Sequence, residues 1–221
     1  MTAARDRPLL FSAPMVRAIL DGRKTQTRRV LKPQPPDGAL YAGIHYASCE
    51  PDSWFFNGPG GRGTKVCVRW RPGDRAWVRE AWKAHSTFNG VAPRDIPQST
   101  IFYAADDRYA PSGAPWRSPI HMPRWVSRLT LLIEDVRVQR LQDISEEDAV
   151  AEGIDPEEVW KIVGVTGPTN GGSTQAFATI WDRIHGPGAW GANPWVCALS
   201  FRAIHANFDA LDATTPSGER G

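Results

Sequence analysis

Cysteine, lysine and long apolar runs are what this sequence has least of. Three cysteines in 221 residues, Cys49, Cys67 and Cys197, stand far apart with no C-x-x-C between them, which weighs against a disulfide framework and against structural zinc. The five histidines, His121 and His185 among them, show no metal-ligand spacing, so no metal and no cofactor is expected. No stretch approaches the ~18 apolar residues that span a bilayer. The N-terminus offers only residues 9–11 behind Arg5, Asp6 and Arg7, too little for a signal-peptide core. A soluble, cytoplasmic protein without membrane contact is expected.

Lysine supplies only five of the 26 basic residues, leaving 21 arginines. Arginine suits bidentate recognition of phosphate and stacking on bases; a GC-rich genome that encodes Arg in place of Lys explains the bias equally well. The net charge of +2 announces no partner, but the charge is segregated. Residues 1–32 hold eight basic side chains against Asp6 and Asp21, and residues 143–158 hold eight acidic ones and no basic one. The two segments either meet across a site or are solvated separately.

With 20 Gly and 19 Pro, the chain should be rich in turns. Ser12-Ala13-Pro14 reads as a helix start, Met15, Ala18 and Ile19 recur at helical spacing, and Gly22 stands at the C′ position, predicting a two-turn helix that ends at Asp21. Residues 25–31 are β-prone and stop before Lys32-Pro33. Residues 33–64 read as a long loop or insertion. Residues 65–70 and 76–81, around Pro72-Gly73-Asp74, read as a β-hairpin. A short strand at 101–105 lies within loop sequence from 83 to 125. Residues 126–141 form the longest predicted strand, bent at Glu134-Asp135. Ser145 then caps a short acidic helix closed by Gly153. Residues 155–172 look like another insertion. Phe177, Ile180, Trp181 and Ile184 mark an amphipathic helix, residues 195–204 a closing strand, and residues 205–221 a flexible tail. One α+β domain over 1–204 is expected, a small β-barrel with short helices at its ends and long loop insertions.

The chemistry concentrates at Gly22-Arg23-Lys24-Thr25-Gln26-Thr27-Arg28. Neighbouring cations and partial burial lower a lysine's pKa, which makes Lys24 a candidate base, and a base beside a hydroxyl is the minimal activated nucleophile. Strict strand geometry puts Lys24 and Thr27 on opposite faces, so they converge only if Lys24 belongs to the turn. The segment is not a phosphate-binding P-loop, because the upstream glycine is missing. Of ten tryptophans, Trp70, Trp77, Trp181 and Trp195 lie in predicted elements and are expected in the core, whereas Trp54, Trp116, Trp125 and Trp190 lie in loop-like sequence where, near Arg62, Arg117 and Arg124, they can stack on a base.

The stretch Ile19-Leu20-Asp21-Gly22-Arg23-Lys24-Thr25-Gln26-Thr27-Arg28 resembles the signature of the ASCH domain, a PUA-like β-barrel. Trp70-Arg71-Pro72-Gly73-Asp74 resembles that family's turn, and the run from Ile144 to Gly153 its acidic helix. The G-R-K-T-x-T-x-R core is similar to that of small bacterial members that hydrolyse N4-acetylcytidine, and the longer form resembles ASCH proteins of phages. The resemblance implies Lys24, Thr27 and Glu152 as catalytic residues of a metal-independent amidohydrolase acting on N4-acylated cytosine or cytidine. Arg23, Arg28, Trp82 and Trp125 are the expected substrate contacts. The partner implied is a small modified nucleoside or nucleobase, with RNA as a further possibility. The rival readings are an RNA-binding PUA-like module without turnover and a ribonuclease.

Overall fold

Two long strands organise the protein, β9 (Thr130–Arg140) and β10 (Trp195–Ile204). In the computed structural model they form the middle of a five-stranded mixed sheet of order β1-β6-β9-β10-β2, with β1 at Asp6–Leu10, β2 at Gln26–Val30 and β6 at Arg75–Arg79. The structure describes residues 6–36, 38–44, 53–57, 63–97, 101–106, 113–159 and 172–214. The molecule is an α+β protein with few helices. Among the described residues its main sheet is open, ending at β1 and β2, and shows no closed barrel. No helix among these residues is long and apolar enough to cross a membrane.

Contacts divide the chain into two compact units, residues 1–22, 73–132 and 202–221 in the first and 23–72 and 133–201 in the second. In the first, helix α1 (Ala13–Leu20) begins after Ser12 and ends at Asp21 as its sequence predicts. Strand β1 lies parallel to β6, and β6 lies antiparallel to the start of β9. Both edges of β6 are thereby taken. This is why the expected hairpin of 65–70 with 76–81 does not form, although the Gly73 turn is present. A two-stranded pair, β7 (Trp82–Ala84) and β8 (Ile101–Tyr103), packs Trp82, Ala84, Ile96, Met122 and Val126 into a local core.

The expected tail is also corrected. Residues 208–214 form helix α4 (Phe208–Thr214), and Phe208 is fully buried. Residues 215–221 lie outside the described residues, as do Cys49, Arg62 and most of the 155–172 insertion.

In the second unit β2 runs antiparallel to β10, with Thr27 opposite Leu199 and Gln26 opposite Ser200. The segment read as a loop instead holds β3 (Leu40–Ile44) and β4 (Ser53–Asn57), which pair with β5 (Gly63–Cys67) in a three-stranded sheet. Its scattered aromatics show no period in sequence because pairing partners, not neighbours, organise them; Phe56 is buried edge-on to Trp195 with ring centroids 4.8 Å apart. Along β9 the in–out alternation slips where Glu134 and Asp135 are both exposed, as the sequence suggests. Helices α2 (Glu146–Ala151) and α3 (Gly172–His185) pack Leu141, Ile144, Ala149, Phe177 and Trp181 into this unit's core.

The two helices are joined by a carboxylate cap. Glu146 accepts hydrogen bonds from the backbone N–H groups of Ser173 at 2.6 Å and Thr174 at 3.2 Å, satisfying donors that the start of α3 leaves open. The Thr174 hydroxyl and these N–H groups hold its carboxyl below the usual carboxylate range. A depressed carboxyl pKa adds stability above the unfolded value that disappears as pH falls through the folded value. Glu146→Ala should therefore destabilise the protein at neutral pH, with the gap to wild type closing in acid. Gly172 has φ +53, and a Cβ there would collide with the Glu146 carboxylate. Gly172→Ala thus combines left-handed strain with loss of the cap, and an expected cost of about 1–2 kcal/mol is readable as a lower Tm in thermal unfolding at pH 7.

Candidate active site

Periodicity brings the candidate side chains together from two short elements. Positions 24, 26 and 28 fall on one face of the strand that becomes β2, because side chains alternate along it. Positions 148 and 152 fall on one face of α2, four residues apart. A single bridge pairs Lys24 with Glu152 ahead of β2, and Thr25 N–H donates to the Ala151 carbonyl at 2.8 Å. Glu152 is the C-terminal cap of α2. The following Gly153, at φ +96, turns the chain away as its left-handed conformation allows.

Lys24 is 1% exposed. Its Nζ donates to Glu152 Oε2 at 2.7 Å, to the Glu152 carbonyl at 2.8 Å and to the Gln26 carbonyl at 2.8 Å. Burial is the largest influence on the amine and lowers its pKa; the charge and hydrogen bond of Glu152 oppose this, while the nearby charges of Arg29 and Arg28 add to it. The net direction is down. The other carboxylate oxygen of Glu152, whose side chain is only 6% exposed, accepts from Arg28 Nη1 at 3.1 Å.

Arg28 is fully enclosed and also reaches Asp148, with Nη2 2.6 Å from Oδ2. Gln26 ties the group together, accepting from Arg28 Nη1 at 2.5 Å and donating to Asp148 Oδ1 at 3.1 Å and to the Ser200 hydroxyl at 3.3 Å. Arg137, on β9, donates to both oxygens of Asp148 at 2.9 and 3.1 Å. Burial works against ionisation of Asp148, but hydrogen bonds from Arg137 and Gln26 and the charges of Arg28 and Arg137 outweigh it and hold its carboxyl low. The basic and acidic segments of the sequence meet here.

Of the residues singled out in the sequence, Lys24, Glu152 and Arg28 converge. Thr27 is buried, but it stands on the opposite face of β2 from Gln26 and Arg28, and its side chain makes no hydrogen bond to Lys24, Glu152 or any other described residue. Arg23 is exposed, its guanidinium 3.5 Å from the Gly153 carbonyl. Trp82 and Trp125 belong to the first unit. Trp82 is 0% exposed, packed in that unit's core beneath the Arg117 guanidinium, so it has no open face for a base and is not a substrate contact. Trp125 is half-buried and lines a groove of about 530 Å³ with Tyr103, Val126 and Asn207. Sequence reading passed over Gln26, Asp148 and Arg137. The alternation 24/26/28 and the 148/152 helical spacing were the signals for the first two; no local pattern points to Arg137.

A buried amine against a carboxylate, with a second cation on the same carboxylate, can move one proton between two groups and stabilise a developing oxyanion. Among the described residues, the buried Nε of Arg28 has no hydrogen-bond partner. An unpaired buried donor costs about 1–3 kcal/mol, which a ligand oxygen would relieve. Compared with known protein families, curated proteins and solved structures, the chain matches none.

Proposed function

We propose that the chain is an ASCH-type, PUA-like protein that hydrolyses the amide of N4-acylated cytosine or cytidine through Lys24 and Glu152. The carrying observation is the 2.7 Å contact between the Lys24 amine and the Glu152 carboxylate in an enclosed setting. The pair rests as ammonium and carboxylate; passage of their one shared proton across the 2.7 Å contact frees the Lys24 amine and loads Glu152, and this is the form that reacts. Lys24 takes a proton from the attacking water, and the resulting hydroxide adds to the acyl carbonyl. Arg28 faces the negative charge that develops on oxygen. Collapse breaks the C–N4 bond as Glu152 gives its proton to the departing N4, releasing the amine of cytosine and a carboxylic acid. This leaves the ammonium and carboxylate of the resting pair. Water is the favoured nucleophile because the Thr27 hydroxyl makes no hydrogen bond to the amine; Thr27 is buried on the other face of β2 from Gln26 and Arg28. The scheme calls for no metal.

The test is direct. Purified protein incubated with N4-acetylcytidine in EDTA is expected to release cytidine, separable by liquid chromatography. Lys24→Ala and Glu152→Ala should each lower kcat/KM by about a hundredfold or more, the size of a lost acid or base. If N4-acetylcytidine, N4-benzoylcytidine and the acylated nucleobase all survive, the hydrolase reading fails. Salt-sensitive RNA affinity that persists in both variants would instead favour the binding module.

A further inference from the structure

The charges at the site form a chain of alternating sign. Lys24 meets Glu152, Glu152 meets Arg28, Arg28 meets Asp148 and Asp148 meets Arg137, with the successive closest contacts at 2.7, 3.1, 2.6 and 2.9 Å. Glu152 divides its two oxygens between two cations. Arg28 divides its two terminal nitrogens between two carboxylates. We infer that Asp148 is a positioning residue for the Lys24–Glu152 pair, acting through Arg28 by holding part of that guanidinium away from Glu152. The kinetic consequence rests on the hydrolase reading; the electrostatic one does not.

In such a chain, loss of one member changes each neighbour with alternating sign. Without the Asp148 charge, Arg28 is neutralised by Glu152 alone and competes with Lys24 for that carboxylate, so the ammonium form of Lys24 loses support. Without Arg137, Asp148 attracts Arg28 more strongly, Glu152 is left more fully to Lys24, and the ammonium gains. The groups facing this pair are Arg28 and Arg29 from β2, Asp148 and Glu152 from α2, and Arg137 from β9. Ser200 of β10, and Phe177 of α3 beneath the Arg28 guanidinium, bring no charge. Arg137 is partly exposed, so its replacement leaves the buried core intact.

Five lysines make the chain suited to NMR titration of isotope-labelled lysine side chains, with Lys24→Arg assigning the signal. Asp148→Asn is expected to move the Lys24 midpoint down by about half a unit to one unit, and Arg137→Gln to move it up by a smaller amount. The pH limb of N4-acetylcytidine hydrolysis, which rises as Lys24 becomes neutral, should move in the same directions. A purely structural role would shift both variants the same way or neither, and either result overturns the inference. Should Asp148→Asn fail to fold, the sign of the Arg137→Gln shift decides. Opposite shifts without any hydrolysis would leave the positioning role standing and reject the reaction; hydrolysis with an unmoved midpoint in both variants would do the reverse.

Discussion

Replacing Glu152 by alanine is expected to destabilise the protein by about 3–5 kcal/mol, more than any other single change at the site, because it strands a buried ammonium and removes one carboxylate from an enclosed guanidinium. Lys24 loses its anionic partner outright, and burial then dominates its environment. Arg28 keeps Asp148 but loses the contact that holds Nη1. The converse substitution is gentler. In Lys24→Met the amine that pays the desolvation is gone, and Glu152 retains its 3.1 Å contact with Arg28, so the loss should be well below that of Glu152→Ala. Urea unfolding read through the midpoint at constant slope checks the order. A Glu152→Ala loss no larger than that of Lys24→Met would mean that the ion pair is not the main support of this site. The same pair of variants separates stability from catalysis, since both lack turnover under the proposed scheme while differing in midpoint.

The local parts of the fold were legible in sequence. Helix α1, strand β2, helix α2 with its Ser145 cap, helix α3 and strand β10 lie where caps, glycines and apolar spacing put them, because each signal acts within one turn or one strand. What failed was non-local. Pro72-Gly73-Asp74 looks like a hairpin turn, yet hairpin formation depends on whether β6 has a free edge, and β1 takes that edge from about 70 residues away in the chain. Strands β3 and β4 hold aromatics amid Pro and Gly, and only their partners make them strands.

The same division holds at the site. Lys24 and Glu152 follow from the resemblance of their motifs; the same resemblance implies a catalytic Thr27, whereas strict strand alternation sets Thr27 on the face opposite Lys24, and its side chain makes no hydrogen bond to the amine. Trp82 was misjudged because an aromatic beside a long loop has the same composition signal whether it stacks on a ligand or fills a core. Arg137 carries no local signal because it meets Asp148, eleven residues further on, only through the turn of the chain from β9 into α2.

The start of helix α4 offers the second large effect. Phe208→Ala is expected to cost about 3–5 kcal/mol, the range for removing a buried aromatic ring, in a segment whose small, polar composition reads as a tail. The ring is 0% exposed and sandwiched by charge, with the Arg124 guanidinium 4.0 Å from its centroid and that of Arg75 4.2 Å away. The approach to it is pinned as well. Asn207 Nδ2 lies within hydrogen-bonding distance of the carbonyls of Arg124, Trp125 and Ser127, at 3.2, 3.1 and 2.6 Å, and Thr130 donates to the Ala206 carbonyl at 3.1 Å. Arg124 also meets Asp209 at 2.8 Å. Losing the ring leaves a cavity and removes the surface on which two guanidinium groups lie, each worth about 0.5–2 kcal/mol as a cation–π contact. Phe208→Leu keeps most of the volume but not the quadrupole, so its smaller loss measures chiefly the cation–π share, and the remaining gap to Phe208→Ala measures packing. Thermal unfolding should show Phe208→Ala lowered by roughly 10 °C, with Phe208→Leu between it and wild type. A change of less than a few degrees for the alanine variant would mean that residues 208–214 are dispensable to the first unit, as a tail would be.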